Sequence, residues 1–315
     1  MNPSSQTDNS SKLLGLGTVY LVLISTRPRQ WSKNLLVYFP FIFTIKLEWT
    51  PEALSEAVGL LGQCTMAFLL LCMISGAMYL VNDYVDRYRD REHPFKQYRP
   101  IASGRLQPAK ALIVAILLAA VGLVLSCLLT PGFGAVMGFY LVLMLGYSLL
   151  LKNIVIVDVL VLGAGFLLRA IGGAVVMSVP ISPWLYVVTA LGSLFIGFGK
   201  RRAEIISTGN NDATKQRGTL QEYTTDLLDQ LIGIVAPCTL LAYMLYTFTA
   251  ENLPQNNSMM LTIPFVAYAL FRYLYLIHRT SLAERPEDAV LDFPLLTSVF
   301  LWLASALAIL FLFRP

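Results

Sequence analysis

The sequence predicts an all-α polytopic membrane protein, and three observations carry that prediction. Of 315 residues, 56% are hydrophobic and only 13% are charged, roughly half the ~25% charge of a soluble domain. The apolar residues are gathered into long runs, with 25 uncharged residues over 57–81 and 41 over 111–151. A run of about 20 residues already crosses a ~30 Å hydrocarbon core as a helix. The charge lies in the gaps between runs, as it must if the runs sit in lipid. The domain plan is a disordered polar tail over 1–12 and a single transmembrane helical domain over 13–315. The opening residues lack a basic n-region, so no cleavable signal peptide is expected. Cys64, Cys72, Cys127 and Cys238 all fall in apolar runs without a CxxC pair, which reads as small core residues.

Taken in order, residues 13–26 are apolar but too few to span, which predicts a helix at the interface or leading into the first span. Nine spans are then expected, at about 30–46, 57–81, 109–129, 133–151, 154–177, 183–200, 229–250, 258–278 and 291–313. The breaks carry turn formers, such as Thr130-Pro131-Gly132 and the Pro180 to Pro183 segment, or charge, as at 200–228. With the N-terminus in the cytoplasm, twenty of the 23 Lys and Arg residues fall on the cytoplasmic side. Only Lys46 and Arg314 lie outside, and Arg169 lies within a span. The long polar segments 82–108 and 200–228 thereby share one face.

The first of these holds the densest chemistry. If the second span continues as a helix, Asp83, Asp86 and Asp90 (i, i+3, i+7) share one face with Asn82 beside them. Three carboxylates on one face need a positive partner. Hard oxygens at this spacing suit Mg²⁺, which commonly takes one or two carboxylates plus phosphate oxygens. Arg87, Arg89, Arg91, Lys96, Arg99 and Arg105 add anion-binding charge in the same segment, and His93 is a candidate phosphate donor. The reading is a magnesium-diphosphate site at the membrane surface; the alternative is a solvated, charge-balanced loop.

The second segment opens with Lys200, Arg201 and Glu204, either a second set of phosphate and metal or hydroxyl ligands or a stop segment with a surface ion pair. Asn210-Asn211-Asp212 predicts a turn. Glu222 and Tyr223 are candidates for holding a sugar hydroxyl. Lys33 and Asn34 sit one turn inside the first span, as phosphate ligands or as snorkelling anchors. Asp158 and Arg169 lie in the fifth span, about three turns apart at ~16 Å, too far to pair directly. Asp158 is expected to border the site, and Arg169 to line a lipid cavity or satisfy carbonyls. Gly163, Gly165, Gly172 and Gly173 read as close helix packing.

These residues resemble the UbiA prenyltransferase superfamily. Asn82-Asp83-x-x-Asp86-x-x-x-Asp90 is similar to its first aspartate-rich motif. Four segments resemble its decaprenyl-phosphate phosphoribosyltransferase branch: Arg27-Pro28-Arg29-Gln30-Trp31-x-Lys33-Asn34, His93-Pro94-x-Lys96-x-x-Arg99-Pro100, Phe166-Leu167-Leu168-Arg169, and Gly199-Lys200-Arg201-x-Ala203-Glu204. The chain lacks the second Asp repeat of prenyl-diphosphate users, which favours the phosphoribosyl branch. The resemblance implies nine helices around a central cavity open to the cytoplasmic face of a bacterial plasma membrane. It also implies transfer of 5-phosphoribose from 5-phosphoribosyl 1-diphosphate to a polyprenyl phosphate, for cell-envelope polysaccharide precursors. Asp83, Asp86 and Asp90, with Asn82, would then hold Mg²⁺; Lys96, Arg99, Lys200 and Arg201 would grip phosphates; Lys33 and Asn34 would meet the acceptor. The partners are membrane lipid and these two substrates, with no nucleic acid. The alternatives are prenyl transfer to an aromatic acceptor and a transporter or non-catalytic scaffold. A transporter would more often show polar residues near the midplane of several spans.

Overall fold

The computed structural model describes residues 17–93, 95–180, 182–216, 218–279 and 291–314, with backbone alone at 185, 207–216, 218 and 221. The expectations for the 1–12 tail and the Arg285 segment lie outside the described residues. Among those that are described, the secondary structure is helical, with one isolated bridge between Ile45 and Trp49. α1 runs through residues 17–25, where an interfacial helix is expected. A 3₁₀ segment follows over Pro28–Tyr38, then α2 (Phe39–Phe43). The larger helices are α3 (Leu54–Arg91), α4 (Pro108–Leu129), α5 (Pro131–Leu149), α6 (Val157–Val176) and α7 (Pro183–Gln216). The chain then forms the short α8 (Gly218–Glu222), α9 (Thr225–Thr249), α10 (Ile263–Arg279) and α11 (Phe293–Phe313).

Among the described residues, seven helices are long and apolar enough to cross a membrane: α3, α4, α5, α6, α9, α10 with its preceding 3₁₀ turn, and α11. Two predicted spans look different in the structure. The stretch 30–46 is a 3₁₀ segment followed by a five-residue helix. Its polar residues are held by tertiary contacts, because buried Asn34 donates to Ser75 Oγ at 3.3 Å and accepts from Arg169. The sixth span is the start of a 34-residue helix that runs on through the charged segment. The turn expected at Asn210-Asn211-Asp212 is helical backbone instead. Extending an existing helix adds one hydrogen bond per residue fixed, with nucleation already accomplished.

Length is what lifts the polar residues clear of the core. At 1.5 Å per residue, the 38 residues of α3 reach about 57 Å, well beyond a ~30 Å core. Its last turns, with Asp83, Asp86 and Asp90, therefore project past the apolar part. The interior is built by α3, α5 and α6 around Leu71, Ile74, Phe133 and Met137, with a second apolar cluster at Phe195, Leu228 and Ile232 between α7 and α9. Packing explains Gly173, since a Cβ there would collide with the Val37 carbonyl oxygen. The 3₁₀ segment thus rests directly on the α6 backbone. At the opposite end, the two cations that positive-inside counting leaves outside come together. Lys46 Nζ donates to the Arg314 carbonyl at 3.1 Å, and the buried Arg314 guanidinium donates to the carbonyls of Phe43, Ile45 and Asn252.

Candidate active site

The one-face spacing on α3 holds: Asp83, Asp86 and Asp90 are all buried. Each carboxylate meets a cation from elsewhere in the chain. Asp83 accepts from Arg27 at 2.5 Å and from Arg99 at 3.1 Å. Asp90 accepts from the same Arg99 nitrogen at 2.7 Å. Asp86 accepts from Lys152 Nζ at 2.6 Å, and Lys152 is only 2% exposed. Burial pushes the Asp90 carboxyl above the usual carboxylate range; Arg99 and Lys96 oppose this and Asp83 adds to it. Among the described residues, no three His, Cys, Asp or Glu side chains gather as a metal-sized cluster. The carboxylates are tied to Arg27, Arg99 and Lys152, so the acids alone do not preform a pocket. One oxygen stands apart: Asn82 Oδ1 is buried without a hydrogen-bond partner, on the helix turn that carries Asp83 and Asp86. An orphaned amide oxygen beside two carboxylates is a hard donor set that fits Mg²⁺.

The second polar segment meets the first through the connection between α5 and α6. Lys152 sits in that connection and holds Asp86. Six residues on, Asp158 is fully buried and accepts from Arg201 Nε of α7 at 2.6 Å and from Tyr223 at 2.8 Å. Arg201 also reaches Glu204 at 2.6 Å and Tyr147 at 3.4 Å. The Tyr223 hydroxyl accepts in turn from the Ile156 amide at 2.7 Å. Ile156 has φ of 67°, a left-handed conformation that a β-branched residue adopts only under constraint. Thr219 of α8 donates to the Lys152 carbonyl at 3.2 Å. Residues 219–223 thus clamp both ends of the 152–156 connection. The 83/86/90 face and the start of the charged part of α7 both bond to the 152–158 segment that leads from α5 into α6.

The remaining candidates sort by contact. Arg169 is satisfied inside the bundle by Asn34 at 2.7 Å, the Gly165 carbonyl at 2.6 Å and Tyr140 at 2.9 Å, which is the carbonyl-satisfying reading extended by two side chains. Lys33 donates to Gln30 at 3.0 Å. Arg87 folds back on its own helix, donating to the Tyr84 carbonyl at 2.7 Å and stacking over the Tyr84 and Tyr88 rings. His93 Nδ1 accepts from the Phe95 and Lys96 amides, closing the turn. Lys96 and Lys200 are half-buried near the two motifs, and Glu222 is exposed. Arg105 donates to the Tyr98 carbonyl at 2.5 Å and to Ser103 at 3.1 Å. Tyr223 directs its hydroxyl into the Asp158 clamp, and burial pushes that hydroxyl above the ordinary tyrosine range, so it stays a proton donor.

Sequence reasoning missed the partners. Arg27 and Lys152 hold two of the three carboxylates, and neither stood out from the other cytoplasmic cations. The available signals were weak: Lys152 interrupts two long apolar runs, and Arg27 precedes a proline in the first-span motif. Apart from the polar cluster, an apolar cavity of about 450 Å³ is lined by Phe39, Phe43, Trp184, Phe195, Tyr243 and Trp302, among others.

The sequence profile of the UbiA prenyltransferase family matches residues 52–289. The decaprenyl-phosphate phosphoribosyltransferase of Mycobacterium tuberculosis (strain ATCC 25618 / H37Rv) is 34% identical over 285 residues, 90% of this chain and 92% of that protein. The protein of the same name from Mycolicibacterium smegmatis is 33% identical over 295 residues, covering 89% of each. A solved UbiA homolog from Archaeoglobus fulgidus, bound to GPP and Mg²⁺, superposes with a TM-score of 0.69 at 15% identity over 92% of this chain and 99% of that one. That last similarity is one of fold.

Proposed function

The chain belongs to the UbiA prenyltransferase family, and from that premise we propose that it transfers 5-phosphoribose from 5-phosphoribosyl 1-diphosphate to a polyprenyl phosphate. The carrying observation is that two distant polar segments converge through Lys152 and Asp158, which sets acids and bases side by side. Relatives named for this reaction cover nearly the whole chain, which supports the same reading.

The reaction breaks the ribose C1–O bond to diphosphate and forms a C1–O bond to the lipid phosphate, with the diphosphate leaving on the bonding pair. The attacking phosphate oxygen is already anionic near neutral pH, so no strong general base is needed. Rate comes from positioning and from neutralising the leaving group. Asn82, Asp83, Asp86 and Asp90 would hold Mg²⁺, which supplies charge neutralisation to the diphosphate when bound. Arg27, Arg99 and Lys152 are the chain's own counter-charges at that place. Arg201 and Glu204, braced by Asp158 and Tyr223, hold the second segment against the first. The apolar cavity suits part of a polyprenyl chain, and Lys33 and Asn34 would lie towards the acceptor.

We further propose nine crossings, with the site facing the cytoplasm from a bacterial plasma membrane. The 3₁₀ segment supports the first crossing. At ~2.0 Å per residue its 11 residues rise about 22 Å. The five of α2 add about 7 Å, together near the ~30 Å core. The first half of α7 supports the sixth.

The test is to incubate membranes containing the protein with labelled phosphoribosyl diphosphate, Mg²⁺ and polyprenyl phosphates of several lengths, then extract the lipid. Label entering the lipid fraction only with both substrates and the divalent ion is the expected result. Label entering from prenyl diphosphate onto an aromatic acceptor instead would replace this reading with ordinary prenyl transfer.

A further inference from the structure

A second, smaller cavity of about 270 Å³ opens beside the first motif, between α1 and the 95–105 segment. Its walls are of two kinds. Arg27, Arg99 and Arg105 face it together with Asp83, and Leu21 and Ile24 of α1 form the apolar side. Three guanidinium groups meet two carboxylates, Asp83 in the wall and Asp90 behind Arg99, which leaves a surplus of one positive charge. The arginines are fixed rather than loose. Arg27 lies over the Tyr79 ring at 4.9 Å and pairs with Asp83. Arg99 is held between Asp83 and Asp90. Arg105 is tied to the Tyr98 carbonyl through Nη2 and to Ser103 through Nε. Among the described residues those are its protein acceptors, so its guanidinium has N–H groups left for a ligand.

We infer that this cavity is a phosphomonoester pocket that shares Asp83 with the proposed diphosphate site and lies on the side of α3 away from Asp86. A phosphomonoester carries about −1.5 to −2 near pH 7, a charge that the net-positive arginine wall attracts. Preorganised arginines also suit its planar pairs of oxygens. Lys152 and Asp86 do not line this cavity, so the pocket and the Asp86 side of the motif can hold different phosphates at once. The inference rests on the phosphoribosyl-transfer reading, in which two phosphomonoesters must be bound: the 5-phosphate of the donor and the terminal phosphate of the lipid acceptor. Both present the same dianionic group. They differ in the group esterified to it, a polar ribose or an isoprenoid chain that would contact Leu21 and Ile24.

The experiment uses the full-length protein in lipid nanodiscs and measures binding of three probes: ribose 5-phosphate, a short-chain prenyl phosphate, and Mg²⁺ with pyrophosphate. Arg105 is the residue to change, because it is exposed and touches no carboxylate of the motif. Arg105→Gln is expected to weaken one of the two monoesters by at least about tenfold, with pyrophosphate binding altered by less than about twofold; Arg105→Lys should recover part of the loss. Ile24→Gln then separates the sources, since it should weaken the prenyl phosphate if the pocket seats the acceptor and leave ribose 5-phosphate unchanged if it seats the donor. Arg105→Gln that binds both monoesters as the native chain does, or that loses all three probes equally, overturns the pocket. A native protein that transfers no phosphoribose to lipid would instead remove the functional reading beneath it.

Discussion

The two polar regions of this protein use the same residue types in opposite ways. Around α3, Asp83 and Asp90 share Arg99, Asp83 also takes Arg27, and the Arg27 and Arg99 side chains remain 24% and 26% exposed, whereas Asp86 pairs with a buried Lys152. Around Asp158, one carboxylate takes an arginine and a tyrosine at once, with the Asp158 side chain fully buried and the Arg201 side chain 3% exposed. Pairs that water can reach can exchange partners with little desolvation, as a site that takes up and releases charged ligands requires. A buried, multiply bonded pair cannot exchange without leaving an uncompensated charge. On the proposed reading, the Arg27 and Arg99 pairs are the exchangeable part of the first region, and the buried Asp158 cluster braces it.

Breaking the second region should therefore cost the most in folding. Asp158→Ala leaves the buried Arg201 with Glu204 as its carboxylate partner and takes away the acceptor of Tyr223, and should destabilise the protein by about 3 kcal/mol. Thermal unfolding in detergent, alongside the folded yield from membranes, reads this directly. A near-native melting temperature would erase the contrast. Asp86→Asn should weigh more on activity, lowering Mg²⁺-dependent transfer by about a hundredfold or more, while the protein still folds because the amide oxygen can keep the bond from the buried Lys152. Full activity in that variant would count heavily against the site. Tyr223→Phe sharpens the comparison, since it removes the hydrogen bonds to Asp158 and Ile156 and leaves the ring. Stability should fall by about 1–3 kcal/mol, with the donor KM little changed; a large KM rise would return Tyr223 to a substrate-contacting role. The smallest effect is expected at Arg87, turned back on its own helix. Arg87→Ala should alter stability by no more than about 0.5 kcal/mol and leave the rate near native, as initial-rate assays across donor concentration would show.

Legibility tracked sequence distance. The shared face of Asp83, Asp86 and Asp90 could be read because i, i+3, i+7 geometry is local. The Arg201–Glu204 pair at i, i+3 was legible for the same reason. The cations were not, because Arg27 lies 56 residues from Asp83 and Lys152 lies 66 from Asp86. Arg169 illustrates the boundary. Its isolation in a span signalled an interior partner, yet that Asn34, 135 residues away, supplies one could not be read. The helical course beyond Glu204, on to Gln216, was also hidden, because polar residues on a helix leaving the core look like a loop when apolar runs are the guide.

The sequence alone determined that this chain crosses a membrane many times, that its charge lies between the long apolar runs, and that three acids line one side of a helix. Those features depend on composition and on the helical repeat, which neighbouring residues fix. Only the tertiary structure decided which cation answers which acid, which polar cluster is exposed and which is locked, and that residues 28–43 depart from an ordinary α-helix. Such outcomes depend on burial and on contacts between distant segments, because the strength of a charge pair is set by how far water is kept from it.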